Sequence, residues 1–226
     1  MRIKDLEDKQ EITKWLNAIF FPLVFLFVLF LIKLIENSLE TSFYRLGVFP
    51  LTGYGLVGIL SAPLVHKDWE HLINNAIPIL ILVSFLFYFH KSKAVELFLA
   101  MYFISGIWLW IIGRPVYHIG ASGLVYALVA FHVAYGFVVR NPPMLAIGFL
   151  VILFYGSMIW FVLPIVEDMS WEAHLCGAVC GVLLAIYFGN EYKRKTVQVS
   201  GSMHFSHDKR YAESVEYVYW YKKKEQ

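Results

Sequence analysis

Charge is missing from four long stretches of this 226-residue chain. Residues 15–32, 71–90, 115–139 and 141–166 contain no Asp, Glu, Lys or Arg. A helix crosses the hydrocarbon core of a bilayer with about 20 apolar residues, so these absences exclude an ordinary soluble globule and mark membrane spans. Excess charge of one sign is also missing. The formal net charge of +2 lacks the strong basic excess that marks a nucleic-acid partner. Cysteine is scarce: Cys176 and Cys180 lie four apart on one predicted helix. Helical geometry disfavours a disulfide between them, and two ligands do not make a zinc site. They read as small packing residues, and no metal or other cofactor is expected. The first apolar run is longer than a signal-peptide core and lacks a small-residue cleavage site, so it reads as a retained span.

What is present is apolar: 59% of the residues are hydrophobic and the mean hydropathy is +0.60. Within a bilayer the backbone finds hydrogen-bond partners only in its own helix or a closed barrel. The pattern predicts an all-α membrane protein with six spans: residues 15–35, 69–89, 94–112, 122–139, 144–166 and 171–188. A long connection rich in Gly and Pro, residues 36–67, follows the first span. Gly113-Arg114-Pro115 and Arg140-Asn141-Pro142-Pro143 break the chain, since proline lacks a donor and clashes with the preceding turn. This divides the chain into a charged segment 1–14, a six-span core 15–190 and a polar tail 191–226, within which residues 215–221 alternate as a short strand could.

Basic residues set the expected orientation. Arg2, Lys4, Lys9 and Lys14, then Lys91 and Lys93, then Arg140, then Lys193, Arg194 and Lys195 all fall on one side of a six-span bundle. That side reads as the cytoplasm and holds both termini. A compact multi-pass core without large soluble domains fits a bacterial plasma membrane.

On this topology the even-numbered spans all begin at the outer side, and their first turns hold the unusual polar residues. His66, His71 and Asn75 attend the second span, Ser122 the fourth and His174 the sixth. Polar groups in spans are costly and face the bundle interior. His71 and Asn75 share one helix face, and both can donate hydrogen bonds. Gly120 and Gly123 flank Ser122, and Tyr126 follows one turn on. His174, Gly177 and Gly181 form a face that is small except for the imidazole, and small faces let membrane helices approach closely. The combination suits nucleophilic catalysis: His174 accepts the Ser122 proton during attack on a carbonyl. His71, Asn75 and the Ser122 backbone N–H then donate to the oxyanion. No carboxylate is placed to complete a triad: Glu172 points to another face, and Glu167 and Asp168 lie in a loop. The site reads as a Ser–His dyad, with Tyr126 packing on the imidazole. His132 reads as a packing residue, and His90 and His118 as interfacial.

These motifs, in this order, resemble the rhomboid family of intramembrane serine proteases over roughly residues 14–190. The resemblance rests on His66, His71 and Asn75, on Gly120-Ala121-Ser122-Gly123 with Tyr126, and on Ala173-His174 with Gly177 and Gly181. It implies a six-helix bundle with the serine sunk in a wet cavity, gated by the fifth span and its following loop. It implies Ser122 as nucleophile, His174 as base, His71 and Asn75 as oxyanion donors, and His66 as a structural tie to the outer loop. The implied substrates are other membrane-spanning proteins, cut near their outer ends with a small residue before the cut. Where many members carry a Trp-Arg pair, this chain has Val57-Gly58. The competing reading is a catalytically inactive relative that binds membrane clients; such relatives usually lack the serine or the histidine, and this chain has both. A transporter would place charge at mid-membrane. A helical zinc protease would need histidines four apart, whereas His66 and His71 would diverge by about 140° on a helix.

Overall fold

A computed structural model describes residues 3–154, 161–164 and 169–203 of the chain. Among them the regular structure is helical: α1 (Ile3–Ser38), α2 (Val57–Ser61), α3 (Trp69–Phe89), α4 (Ala94–Ile112), α5 (Ser122–Val139), α6 (Pro142–Phe154) and α7 (Trp171–Met203). Five helical segments are long and apolar enough to cross a membrane: Asp8–Ser38, Trp69–Phe89, Ala94–Ile112, Ser122–Val139 and Trp171–Arg194. The protein is therefore an integral membrane protein. The apolar α6 has 13 described residues. Of the span expected over 144–166, residues 155–160 and 165–166 lie outside the described residues, and 161–164 form a short 3-10 turn rather than the expected α-helix.

Local chemistry explains most helix boundaries. Asp68 caps α3, its carboxylate accepting the His71 N–H at 2.8 Å, which satisfies one of the orphan donors of the first turn. Gly113 terminates α4 in an extended conformation. Arg140 closes α5 in the left-handed region, with φ 57 and ψ 49. The two prolines that follow do not stand outside a helix, as expected, but open α6: an N-terminal position has no intrahelical N–H bond to lose. The Asn141 side chain accepts the Met144 N–H at 3.3 Å. Helix α1 starts at Ile3 rather than near residue 15, because the charged residues before the apolar run are themselves good helix formers.

Helix α1 packs chiefly on α3, and α5 on α6, with α3 and α4 both touching α5. Their shared interior is filled by Leu72, Ile79, Leu82, Leu86, Leu97, Met101, Leu128 and Phe131, all sealed from the surroundings. Lipid is as apolar as these side chains, so close fit rather than expulsion of water holds the helices together. The connection between α1 and α3 is folded into short turns, Tyr44–Leu46, Tyr54–Leu56 and Ala62–Leu64, around α2. Gly58 lies directly on the backbone of Gly47 and Val48, where a Cβ would overlap the main chain. That contact leaves no room for a side chain such as arginine at position 58.

Residues Met1–Gly189 form one compact unit, and a second begins at Asn190. The expected polar tail starts as a helical continuation to Met203; the alternating stretch 215–221 lies outside the described residues.

Candidate active site

The N-terminal ends of α3, α5 and α7 meet. Ser122 is the first residue of α5, and its hydroxyl lies 2.8 Å from His174 Nε2. His174 is itself buried, four residues into α7. Its other ring nitrogen, Nδ1, lies 2.8 Å from the Phe161 carbonyl oxygen. A carbonyl only accepts, so in the neutral ring Nδ1 carries the proton and Nε2 presents its lone pair to the Ser122 hydroxyl. The Tyr126 ring stacks on the imidazole, with centroids 4.2 Å apart and planes 9° from parallel. Two rotational restraints, one hydrogen bond and one stack, thus fix the ring.

Glycine makes the helix contact this close. A Cβ on Gly177 would overlap the Gly123 carbonyl, and one on Gly181 the Ala127 carbonyl. The two helices touch backbone to backbone along this seam, which places the first turn of α7 against the first turn of α5.

His71 packs on the turn before the serine. Gly120 has φ +102, and a Cβ there would lie 2.5 Å from His71 Cε1 and 2.6 Å from Nε2. Only glycine combines that φ with that approach. Asn75 is buried, and its side-chain amide donates to the His71 carbonyl at 2.9 Å. An amide nitrogen has two donors, so one proton stays uncommitted by that bond. Ser122, His174, His71, Asn75 and Tyr126 all line a single cavity of about 890 Å³. The first N–H groups of α5 lack intrahelical partners and carry the positive end of its dipole.

His66 sits behind the site, 1% exposed. Its Nε2 accepts the Ala121 N–H at 3.4 Å, and its ring meets that of His71 edge-on at 5.0 Å. Burial, reinforced by the neighbouring His71, pushes the imidazole down to about 3. The ring is therefore neutral and available as an acceptor.

Several supporting groups escaped the sequence reading. The Phe161 carbonyl is a backbone atom, and no residue type announces it. His118 is 2% exposed: Nδ1 lies 2.6 Å from the Ser170 hydroxyl, and Nε2 lies 3.0 Å from the Arg114 carbonyl. Its backbone pairs with Val48 in an isolated antiparallel bridge. Arg114 reaches the buried Glu172 at 3.2 Å. The connection before Ser122 is thereby tied to both the first connection and the start of α7. In the sequence Arg114 stands in the break after the third span and Glu172 in the first turn of the last, with nothing to pair them. Cys176 and Cys180 are both buried and free. Among the described residues no group of three or more His, Cys, Asp or Glu could hold a metal.

A family model described as "Rhomboid domain" matches residues 54–191. The chain belongs to the rhomboid family. An uncharacterized protein of Mycobacterium tuberculosis is 33% identical over 190 residues, covering 80% of this chain and 79% of the relative. An uncharacterized protein of Mycobacterium leprae is 32% identical over 192 residues, covering 81% of this chain and 76% of the relative. The matched segment of this rhomboid chain contains Ser122, His174, His71, Asn75 and His66, while α1 precedes it.

Proposed function

We propose that this rhomboid protein is an intramembrane serine endopeptidase that cleaves membrane-spanning proteins near their outer ends. The observation that carries the reading is the Ser122–His174 pair, 2.8 Å apart, with His174 held in the required tautomer by the Phe161 carbonyl. Ser122 Oγ attacks the scissile carbonyl carbon while its proton passes to His174 Nε2. The carbonyl oxygen becomes an oxyanion, stabilised by the Ser122 N–H, the His71 ring and the Asn75 amide. Collapse breaks the C–N bond, and His174 gives its proton to the departing amine. A water molecule, deprotonated by His174, then hydrolyses the acyl-serine and releases the new carboxylate. The 890 Å³ cavity, bordered by Lys67, Asp68, Glu70 and Arg114, is the route by which that water reaches the site.

In this reading α6 is the described part of a sixth span. The core is 15–190, both termini are cytoplasmic, and the starts of α3, α5 and α7 face the outer side of a plasma membrane. The decisive experiment co-expresses wild type or Ser122→Ala with a panel of single-span membrane proteins. Cleavage by wild type and none by Ser122→Ala is expected. Stable client binding without any cut by wild type would favour the inactive-relative reading instead.

A further inference from the structure

Lysine is rare inside an apolar helix end, and Lys33 of α1 is 8% exposed. Its ammonium has three protons, and each has an acceptor: Glu36 Oε2 at 2.8 Å, the His66 carbonyl at 3.0 Å and the Lys67 carbonyl at 3.0 Å. Glu36, 3% exposed, uses its other oxygen to accept the Phe43 N–H at 2.6 Å. One buried ion pair therefore grips both ends of the connection between α1 and α3.

The grip lies a short lever from the chemistry. Lys33 holds the carbonyl of His66, and the His66 ring accepts the N–H of Ala121, the residue before Ser122. Lys33 also holds the carbonyl of Lys67, the residue before Asp68, which caps α3 and fixes the His71 backbone. The two arms thus reach the two sides of the site: the turn that carries Ser122 and the turn that carries His71. Both Lys33 and Glu36 precede the segment matched by the family model, so family membership does not assign them a role.

We propose that Lys33, charge-balanced by Glu36, is a positioning residue that sets the placement of the Ser122 turn through His66 and of His71 through Asp68. This rests on the protease reading for its effect on turnover, but the placement itself is measurable without turnover. The test uses the full chain in detergent micelles and the variants Lys33→Met, Lys33→Arg and Lys33→Met/Glu36→Gln. The double variant removes the ion pair without leaving a buried unpaired charge, so it keeps the fold testable if Lys33→Met alone unfolds.

Hydrogen exchange of the 118–123 segment should rise roughly tenfold or more in the double variant, because an unheld His66 frees the Ala121 amide. Exchange in the second half of α5 should stay as in wild type. The rate of Ser122 modification by a fluorophosphonate probe should fall by a similar factor without loss of melting temperature, and Lys33→Arg should recover part of it. Unchanged exchange at 118–123 in a stably folded double variant would overturn the proposal. So would increased exchange with an unaltered labelling rate. If wild type takes no probe at all, the protease reading fails while the exchange comparison still decides the role of Lys33.

Discussion

Asn75 is the residue whose resting bond and proposed task differ most. Its amide is spent partly on the His71 carbonyl one turn back, and the remaining proton is the one an oxyanion would draw. Asn75→Ala should lower kcat by about 10²–10³, equivalent to about 2.7–4 kcal/mol, with little change in KM. Steady-state cleavage of a single-span substrate measures both constants, and an unchanged kcat removes Asn75 from the oxyanion site. Histidines outside the spans add a pH signature. Burial depresses both His66, to about 3 from an ordinary value of 6.5, and His118. The unfolded chain then binds protons that the folded chain refuses. Stability is full above about 6.5 and falls as the pH drops from there toward 3. Melting curves in micelles between pH 7.5 and 4 should show that decline, and His66→Gln should make it shallower.

At the scale of elements, the seam between α5 and α7 decides whether serine and histidine meet. Gly177→Ala places a methyl group on the Gly123 carbonyl, and the helices must part to accept it. Overpacking of this kind costs about 1–3 kcal/mol, and a displacement of about 1 Å at the reacting atoms costs about 100-fold in rate. Turnover should therefore drop far more than the melting temperature. Equal activity of Gly177→Ala and wild type would mean that the seam does not set the dyad distance. Helix bounds were the most legible part of the sequence. The bounds of α3, α4 and α5 follow from charges and Gly-Pro punctuation, both of them properties of side-chain type. The start of α6 was misjudged because proline ends one helix and begins another with the same letters. Within the site, Ser122, His174, His71 and Asn75 were readable because they recur together at the starts of alternate spans, beside glycines that allow close approach. The Phe161 carbonyl and the Lys33 clamp were not, because one is a backbone atom and the other depends on chain segments more than thirty residues apart being brought together.

At the scale of the whole molecule, the proposed orientation rests on the basic residues near the helix ends. Lys91 lies between α3 and α4, and Tyr54, 59% exposed, lies in the connection before α3. Single cysteines at these positions should react with a membrane-impermeant maleimide from opposite faces of oriented vesicles. The native Cys176 and Cys180 are buried and should stay silent. Reaction of both introduced cysteines from one face would overturn the proposed topology. The central claim, that Ser122 is a nucleophile activated by His174, is tested most directly by fluorophosphonate labelling of the full chain in micelles, with the modified residue located by peptide mass spectrometry. The account predicts label on Ser122 in wild type, none on Ser122→Ala, and strongly reduced label on His174→Ala. Wild type that takes no label, or label that persists in Ser122→Ala, would contradict it.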